Sequence, residues 1–311
     1  MKIAVVGAGA MGGLFGGRLA KAGHKVTLVG REKEAVAVIN QRGILLEDKL
    51  GACETIPVFS TTRAADAGIV DLVLVLVKCH HTEQAVLATE DIIGPQTLVL
   101  SLQNGWGHTD CIARIVGTEK MLVGVTYHGA TLAGPGHVQH MTEGVTHIGR
   151  LIDAPGGQLA EIAAAFTAAK IGTNVSACIR AEIWSKLSLS AVCLSPSALL
   201  RCYTGDLKDR PGSVVLIRSL LREIVAVATK LGVSLDYEER WALIASGLEK
   251  GKSAKTSMLQ DVLKRRVTEI DCINGAIVAE GRKHNVATPY NECLVSLIKA
   301  LEDGFTTPGY K

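Results

Sequence analysis

Residues 2–32 read KIAVVGAGAMGGLFGGRLAKAGHKVTLVGRE, and the architecture follows from them. Residues 2–6 (KIAVV) are a run of strand formers, residues 10–22 carry apolar side chains at helical spacing, and residues 25–29 (KVTLV) are a second strand. The glycine-rich segment Gly7-Ala8-Gly9-Ala10-Met11-Gly12 falls where the first strand gives way to the helix. A GxGxxG at that place has a physical purpose. The first glycine permits the tight turn, the second lets backbone approach a pyrophosphate, and the third lets helix and strand pack closely, with the helix N-terminus facing the phosphates. The segment is therefore the candidate dinucleotide loop.

Working outward, the second strand ends Val29-Gly30-Arg31. An acidic residue there bonds a ribose 2′-hydroxyl, whereas a guanidinium pairs bidentately with a 2′-phosphate and stacks on adenine. Arg31 selects NADP over NAD in this reading, with Glu32 as the residue that would bond a 2′-hydroxyl instead. Residues 71–77 (DLVLVLV) and 97–102 (TLVLSL) read as strands covered on both faces, which predicts a parallel, doubly wound α/β sheet. The Gly-rich stretch 121–149 reads as short strands extending that sheet. Beyond about residue 156 the helical period takes over, with helices predicted over 178–200, 213–232, 236–250, 257–283 and 289–302. The expected division is a nucleotide-binding domain over 1–175 and an all-helical domain over 176–311.

Composition narrows the function. The 311 residues include 33 Lys+Arg and 30 Asp+Glu, a net charge of +3 that is too balanced for electrostatic capture of nucleic acid or a membrane surface. Aromatic residues, at 4%, are too few for a base-stacking platform. The eight cysteines form no CxxC pair, which fits reduced thiols in a cytoplasmic protein. The apolar run at 68–77 is too short to span a bilayer, and the glycines of residues 7–17 interrupt any signal-peptide centre. A small-molecule partner is expected, with neither nucleic acid nor membrane.

Lys78 and Asn104 each stand just past the C-terminal end of a predicted strand, where an open α/β sheet places its ligands. Asn104-Gly105 also reads as a turn with positive φ. Glu182 and Lys186 lie one helical turn apart, the spacing of an exposed ion pair. The carboxylates of Glu269 and Asp271, after the basic run Lys264-Arg265-Arg266, suit a solvated helix face. His80-His81 and His137-x-x-His140 lack a third ligand at metal-site spacing, so no metal is expected. No GxSxG is present, and Gly247 with Gly251-Lys252-Ser253 is one residue short of a Walker loop and follows no strand.

Together these blocks resemble the ketopantoate reductase (2-dehydropantoate 2-reductase) family. The likeness runs along the chain through GAGAMGG at 7–13, VK at 77–78, LQNG at 102–105, GVTYHGAT at 124–131 and GPGHV at 134–138. It continues through EIWSKL at 182–187, TSMLQD at 256–261, TEIDCING at 268–275 and TPYNE at 288–292. The resemblance implies an N-terminal Rossmann-type domain, a C-terminal helical domain, and NADPH-dependent reduction of a branched 2-oxo acid. It implies that Lys186 is the catalytic lysine and that Glu269 works beside it and contacts the cofactor. Asn104 is implied near nicotinamide and substrate, Lys78 and Ala130 as cofactor contacts, and Ser257 as a substrate-carboxylate contact.

The chain departs from the family at four positions. Ser190, Leu194, Thr204 and Ala254 stand where ketopantoate-specific members carry asparagine. Ser190 and Thr204 keep a hydroxyl for substrate binding; Leu194 cannot bond a substrate hydroxyl, and an unpaired hydroxyl in a closed pocket costs about 1–3 kcal/mol. Ketopantoate leads as substrate. The alternatives are a related D-2-hydroxyacid dehydrogenase acting on a branched or aromatic 2-oxo acid, and a non-catalytic NADP-binding sensor. Helical domains of this family often dimerise, so the resemblance also raises a homodimer.

Overall fold

The computed structural model describes residues 1–152, 157–251 and 255–306. They fall into two compact units, Met1–Gln103 with His108–Glu182, and Asn104–Gly107 with the chain from Ile183 onward. The first unit opens with β1 (Lys2–Val6), α1 (Ala10–Lys21), β2 (Lys25–Val29) and α2 (Lys33–Arg42). Three short strands follow, β3 (Ile44–Glu47), β4 (Cys53–Ile56) and β5 (Phe59–Thr61), then β6 (Leu72–Val75), α3 (Thr82–Leu87), β7 (Leu98–Ser101) and α4 (His108–Val116). The unit continues through β8 (Met121–Thr126), β9 (Gly129–Gly134), β10 (His137–Thr142), β11 (Thr146–Gly149), α5 (Gly157–Ala168) and β12 (Thr173–Val175).

Eight strands form one sheet in the order β12-β11-β8-β7-β6-β1-β2-β5. Its neighbours pair parallel except β8 with β11. Every residue of β6 and β7 is buried, which is why their sequences run Val/Leu without alternation. The fold is α/β with a Rossmann-like N-terminal sheet, and order reverses between β1 and β6, beside the loop that follows β1.

The stretch 121–149 corrects one expectation. β8 and β11 extend the main sheet, but β9 and β10 leave it and pair with β3 and β4 in a second sheet, β4-β3-β10-β9. The reason lies in α1. A Cβ on Gly16 would come within 2.5 Å of Leu28 on β2, and one on Gly13 within 2.7 Å of Val138 on β10. The helix is packed by both sheets and must be bare on both faces. Leu14, Phe15, Leu28, Ile44, Ile56 and Val138 share one buried core.

The helical unit contains α6 (Ile179–Leu200), whose first turn belongs to the other unit, then α7 (Pro211–Lys230), α8 (Tyr237–Lys250), α9 (Ser257–Leu263), α10 (Asn274–Lys283) and α11 (Pro289–Asp303). Among its described residues there is no strand. Proline at the first position starts α7 and α11, and the Asp236 carboxylate caps α8 by accepting from Glu239 N at 2.7 Å. The single helix expected over 257–283 is broken. Arg265 takes a left-handed φ of 51°, and its guanidinium donates to the carbonyls of Gly304 and Phe305 at 3.1 and 2.8 Å. By length and composition α6 could cross a bilayer, which the run at 68–77 could not, but 56% of its apolar window is buried inside the protein.

Candidate functional site

The glycine loop has the stereochemistry its motif requires. Gly7 has φ +108°, and a Cβ there would sit 2.9 Å from the Leu76 carbonyl. A Cβ on Gly12 would come within 1.7 Å of Gly7 O, so no other residue closes this turn. Gly9 is the N-cap of α1 and faces open space, with nothing within 4 Å of a built Cβ. No side chain caps that N-terminus and no carboxylate stands in its first turn, which leaves the backbone N–H groups and the positive end of the helix for an external anion. Ala8, Ala10 and Met11 are half-buried beside it.

Around this loop the unit gathers further polar groups. A Cβ on Gly30 would meet Ala8 Cβ at 3.0 Å, so the end of β2 runs beside the loop and delivers Arg31 there, exposed. Arg31 Nη1 lies 3.4 Å from His81 Nδ1. Partial burial, then His80 and Arg31, push the His81 pKa down, so this imidazole is neutral and accepts from the guanidinium. Lys78 is half-buried at the start of the short 3₁₀ turn Cys79–His81. Ala130 on β9 packs half-buried against the core and stands opposite His140 on β10. The contact of His81 with Arg31 has no signal in the sequence, since it joins the loops after two strands 50 residues apart.

The second constellation lies in the helical unit. Lys186, in the second turn of α6, donates from Nζ to Asn104 Oδ1 at 2.5 Å. Burial lowers its pKa from 10.5 to about 8, opposed by the field of Glu269, itself buried at 6% exposure. The spacing reading of Lys186 with Glu182 as an exposed ion pair is thereby corrected: the Glu182 carboxylate lies instead 3.8 Å from His147 Nδ1. Glu269 likewise does not solvate a helix face, whereas Asp271 does and meets Lys299 at 2.5 Å.

Backbone contacts fix the asparagine. Trp106 N donates to Cys272 O at 2.9 Å, and Gly105, with φ +94°, brings its α-carbon so close that a Cβ would lie 2.1 Å from the same oxygen. The positive-φ turn and the role for Asn104 are thus compatible, because the turn presents the side chain. Trp106 Nε1 also donates to Glu280 Oε1 at 3.3 Å, and its ring lies 6.0 Å from that of Trp184.

The remaining candidates are dispersed. Ser190 and Leu194 follow Lys186 at one and two turns along α6, both half-buried. Thr204 opens the 3₁₀ turn Thr204–Leu207 against Gly251, while Ser257 is exposed at the start of α9. Thr256, which the sequence reading passed over, caps α9 by accepting from Leu259 N at 3.1 Å. Ala254, and Lys252 and Ser253 of the Walker-like stretch, lie outside the described residues. His137 bonds Glu47 at 2.7 Å while His140 bonds Arg18 and His128, each at 3.1 Å, so the two histidines face different partners. A cavity of about 560 Å³ at the other end of α1, lined by Arg18, Lys49, His140 and Lys170, includes none of the cofactor, substrate or catalytic candidates.

Comparison with known proteins gives the family and the fold. Residues 3–152 match the family model of ketopantoate reductase PanE/ApbA, and residues 178–302 match that of its C-terminal part. A 2-dehydropantoate 2-reductase of Halobacterium salinarum is 34% identical over 98% of this chain and 100% of its own. A D-mandelate dehydrogenase solved with NADH and anilino(oxo)acetate superposes at TM-score 0.94 with 30% identity, over 99% of this chain and 100% of that one. A PanE/ApbA family ketopantoate reductase from Ralstonia eutropha JMP134 gives 0.91 with 32% identity, over 99% and 100%. These relatives define a class, the nicotinamide-dependent oxidoreductases. The chain belongs to the ketopantoate reductase PanE/ApbA family.

Proposed function

We propose that this enzyme reduces ketopantoate to pantoate with NADPH, Lys186 delivering the proton. The observation that carries the reading is the partly buried ammonium of Lys186, with a pKa of about 8, hydrogen-bonded to Asn104 and in the field of Glu269. Reduction turns a neutral ketone into a developing alkoxide, and an ammonium poised near neutral pH both stabilises that charge and gives up its proton. Asn104 holds Nζ through one of its three hydrogens, leaving two for a substrate oxygen. Glu269 keeps the amine protonated against desolvation.

The open N-terminus of α1 fits a dinucleotide: a Cβ-free cradle at Gly9 and uncapped N–H groups suit a pyrophosphate. Gly7 to Gly12, Lys78 and Ala130 would hold it, with Arg31 on a 2′-phosphate. When bound, it supplies the hydride.

Leu194 favours a second reading. An apolar side chain two turns beyond Lys186 suits a branched or aromatic 2-oxo acid without the 4-hydroxyl, and the likeness to a D-mandelate dehydrogenase, solved with NADH, points the same way. Following nicotinamide absorbance with ketopantoate, 2-oxoisovalerate and phenylpyruvate, each with NADPH and NADH, tests both. Ketopantoate with NADPH should give the highest kcat/KM; phenylpyruvate in that place would move the assignment to the second reading.

A further inference from the structure

The motif residues Asn274 and Asn291 do not enter the reaction chemistry, yet both are fully buried, as is Ser195, and the nearby Glu223 is 8% exposed. They form one chain of hydrogen bonds through four helices. The Glu223 carboxylate on α7 accepts from Tyr290 N at 2.8 Å and from Asn291 N at 3.0 Å, capping α11, and from Asn291 Nδ2 at 2.7 Å. Asn291 Oδ1 accepts from Asn274 Nδ2 at 2.9 Å. Asn274 Nδ2 also donates to Ala191 O on α6 at 3.1 Å, while its Oδ1 lies 3.1 Å from Ser195 Oγ. Both amide hydrogens of Asn274 are used and their direction is fixed, because the acceptor-only carboxylate at one end orients every amide along the chain.

The place where this chain meets α6 matters. Pro196 lies inside the helix and has no N–H, so the carbonyl of Val192 lacks its ordinary partner and α6 is weakened over the turn from Val192 to Pro196. Asn274 bonds the helix at that turn, through Ala191 O just before it and Ser195 within it. It also begins α10 directly after the turn Ile270–Cys272, which follows Glu269 and whose Cys272 carbonyl holds the Asn104 loop through Trp106 N. One amide therefore ties the lysine helix, the glutamate turn and, through the turn, the asparagine loop.

We infer that Asn274 is a positioning residue: it sets the stretch of α6 beyond Lys186 and keeps Glu269 at its working distance from the amine. The inference rests on the proposed role of Lys186 and Glu269 in the reduction. Replacing Asn274 by Ala leaves Asn291 Oδ1 and the Ser195 hydroxyl without that partner and lets the glutamate turn drift. The field that holds the Lys186 proton then weakens.

The test compares wild type, Asn274→Ala and the milder Ser195→Ala, which removes one donor and leaves the amide in place. Each is assayed as the full chain for kcat, both KM values, melting temperature and the pH at which kcat falls on the alkaline side. The expected result for Asn274→Ala is a kcat lower by about tenfold or more, with the alkaline limb moved about half a unit or more to lower pH. The KM for NADPH should stay within about twofold. Ser195→Ala should move the same quantities in the same direction by less, and it carries the test if Asn274→Ala does not fold. A lower melting temperature with unchanged limb and kcat would mean a purely structural role and would overturn the inference. Wild type that reduces no 2-oxo acid with either nucleotide would instead remove the reading on which it rests.

Discussion

Lys186 has three influences on its proton: the burial that expels it, the Glu269 field that retains it, and the Asn104 carbonyl that accepts one of its hydrogens. Burial prevails, so the ammonium begins to be lost near pH 8 rather than above 10. If Lys186 gives the proton as proposed, reduction needs its charged form, so kcat should be level below that value and fall about tenfold per unit above it, while oxidation of the hydroxy acid should rise over the same range. Lys186→Met, which keeps the packing of the stem, should lower reductive kcat by about 10²-fold or more and abolish the limb, with dinucleotide binding retained; wild-type turnover would show that another group supplies the proton. Leu194 gives a separate test of substrate. In Leu194→Asn, the ratio of kcat/KM for ketopantoate over 2-oxoisovalerate should rise about tenfold, because an amide can pair the extra hydroxyl.

At the scale of elements, α1 joins the sequence motif to the packing. Two of its loop glycines serve opposite ends and are separable. Gly12→Ala places a Cβ 1.7 Å from Gly7 O, and the strand–helix turn must open, at a cost of about 2–4 kcal/mol seen as a lowered melting temperature without ligand. Gly9→Ala meets nothing and should melt as wild type, yet bind NADPH about tenfold or more weakly in a fluorescence titration, because in the proposed binding mode the methyl would stand between backbone and phosphate. Equal melting temperatures for all three proteins would contradict the packing described. The strands and α1 were legible in residues 2–32 because their period and punctuation are local. The second sheet was not: the Gly-rich stretch 121–149 has the same alternation whichever strands it joins, and β3, which pairs with β10, lies about ninety residues earlier. The break after α9 was hidden for a different reason. Lys264-Arg265-Arg266 contains no glycine or proline, and the left-handed Arg265 is held by carbonyls of Gly304 and Phe305, forty residues on.

For the whole molecule, the same difference between local and distant information governs the site. Its place past a predicted strand singled out Asn104, whereas Lys186 and Glu269 became candidates only through the family resemblance and spacing alone paired Lys186 with Glu182; only the fold brings Asn104, 82 positions away, to the amine. Burial also leaves a mark on stability that no motif announces. His108 at the start of α4 and His128 before β9 are 7% and 8% exposed, and burial lowers each pKa to about 4. Neither His108 ring nitrogen has a hydrogen-bond partner among the described residues, so charging it in place gains nothing to offset desolvation. Between pH 6.5 and 4 the unfolded chain binds more protons than the folded one, so stability rises with pH across that window and is lost as pH falls through it. Each histidine should take away about 2 kcal/mol between pH 7 and 4.5. Urea unfolding at pH 7, 5.5 and 4.5 should show that loss in wild type and a shallower one in His108→Gln, whose amide stays neutral throughout. An equal slope in both would mean that His108 is already charged, or solvated, in the folded protein.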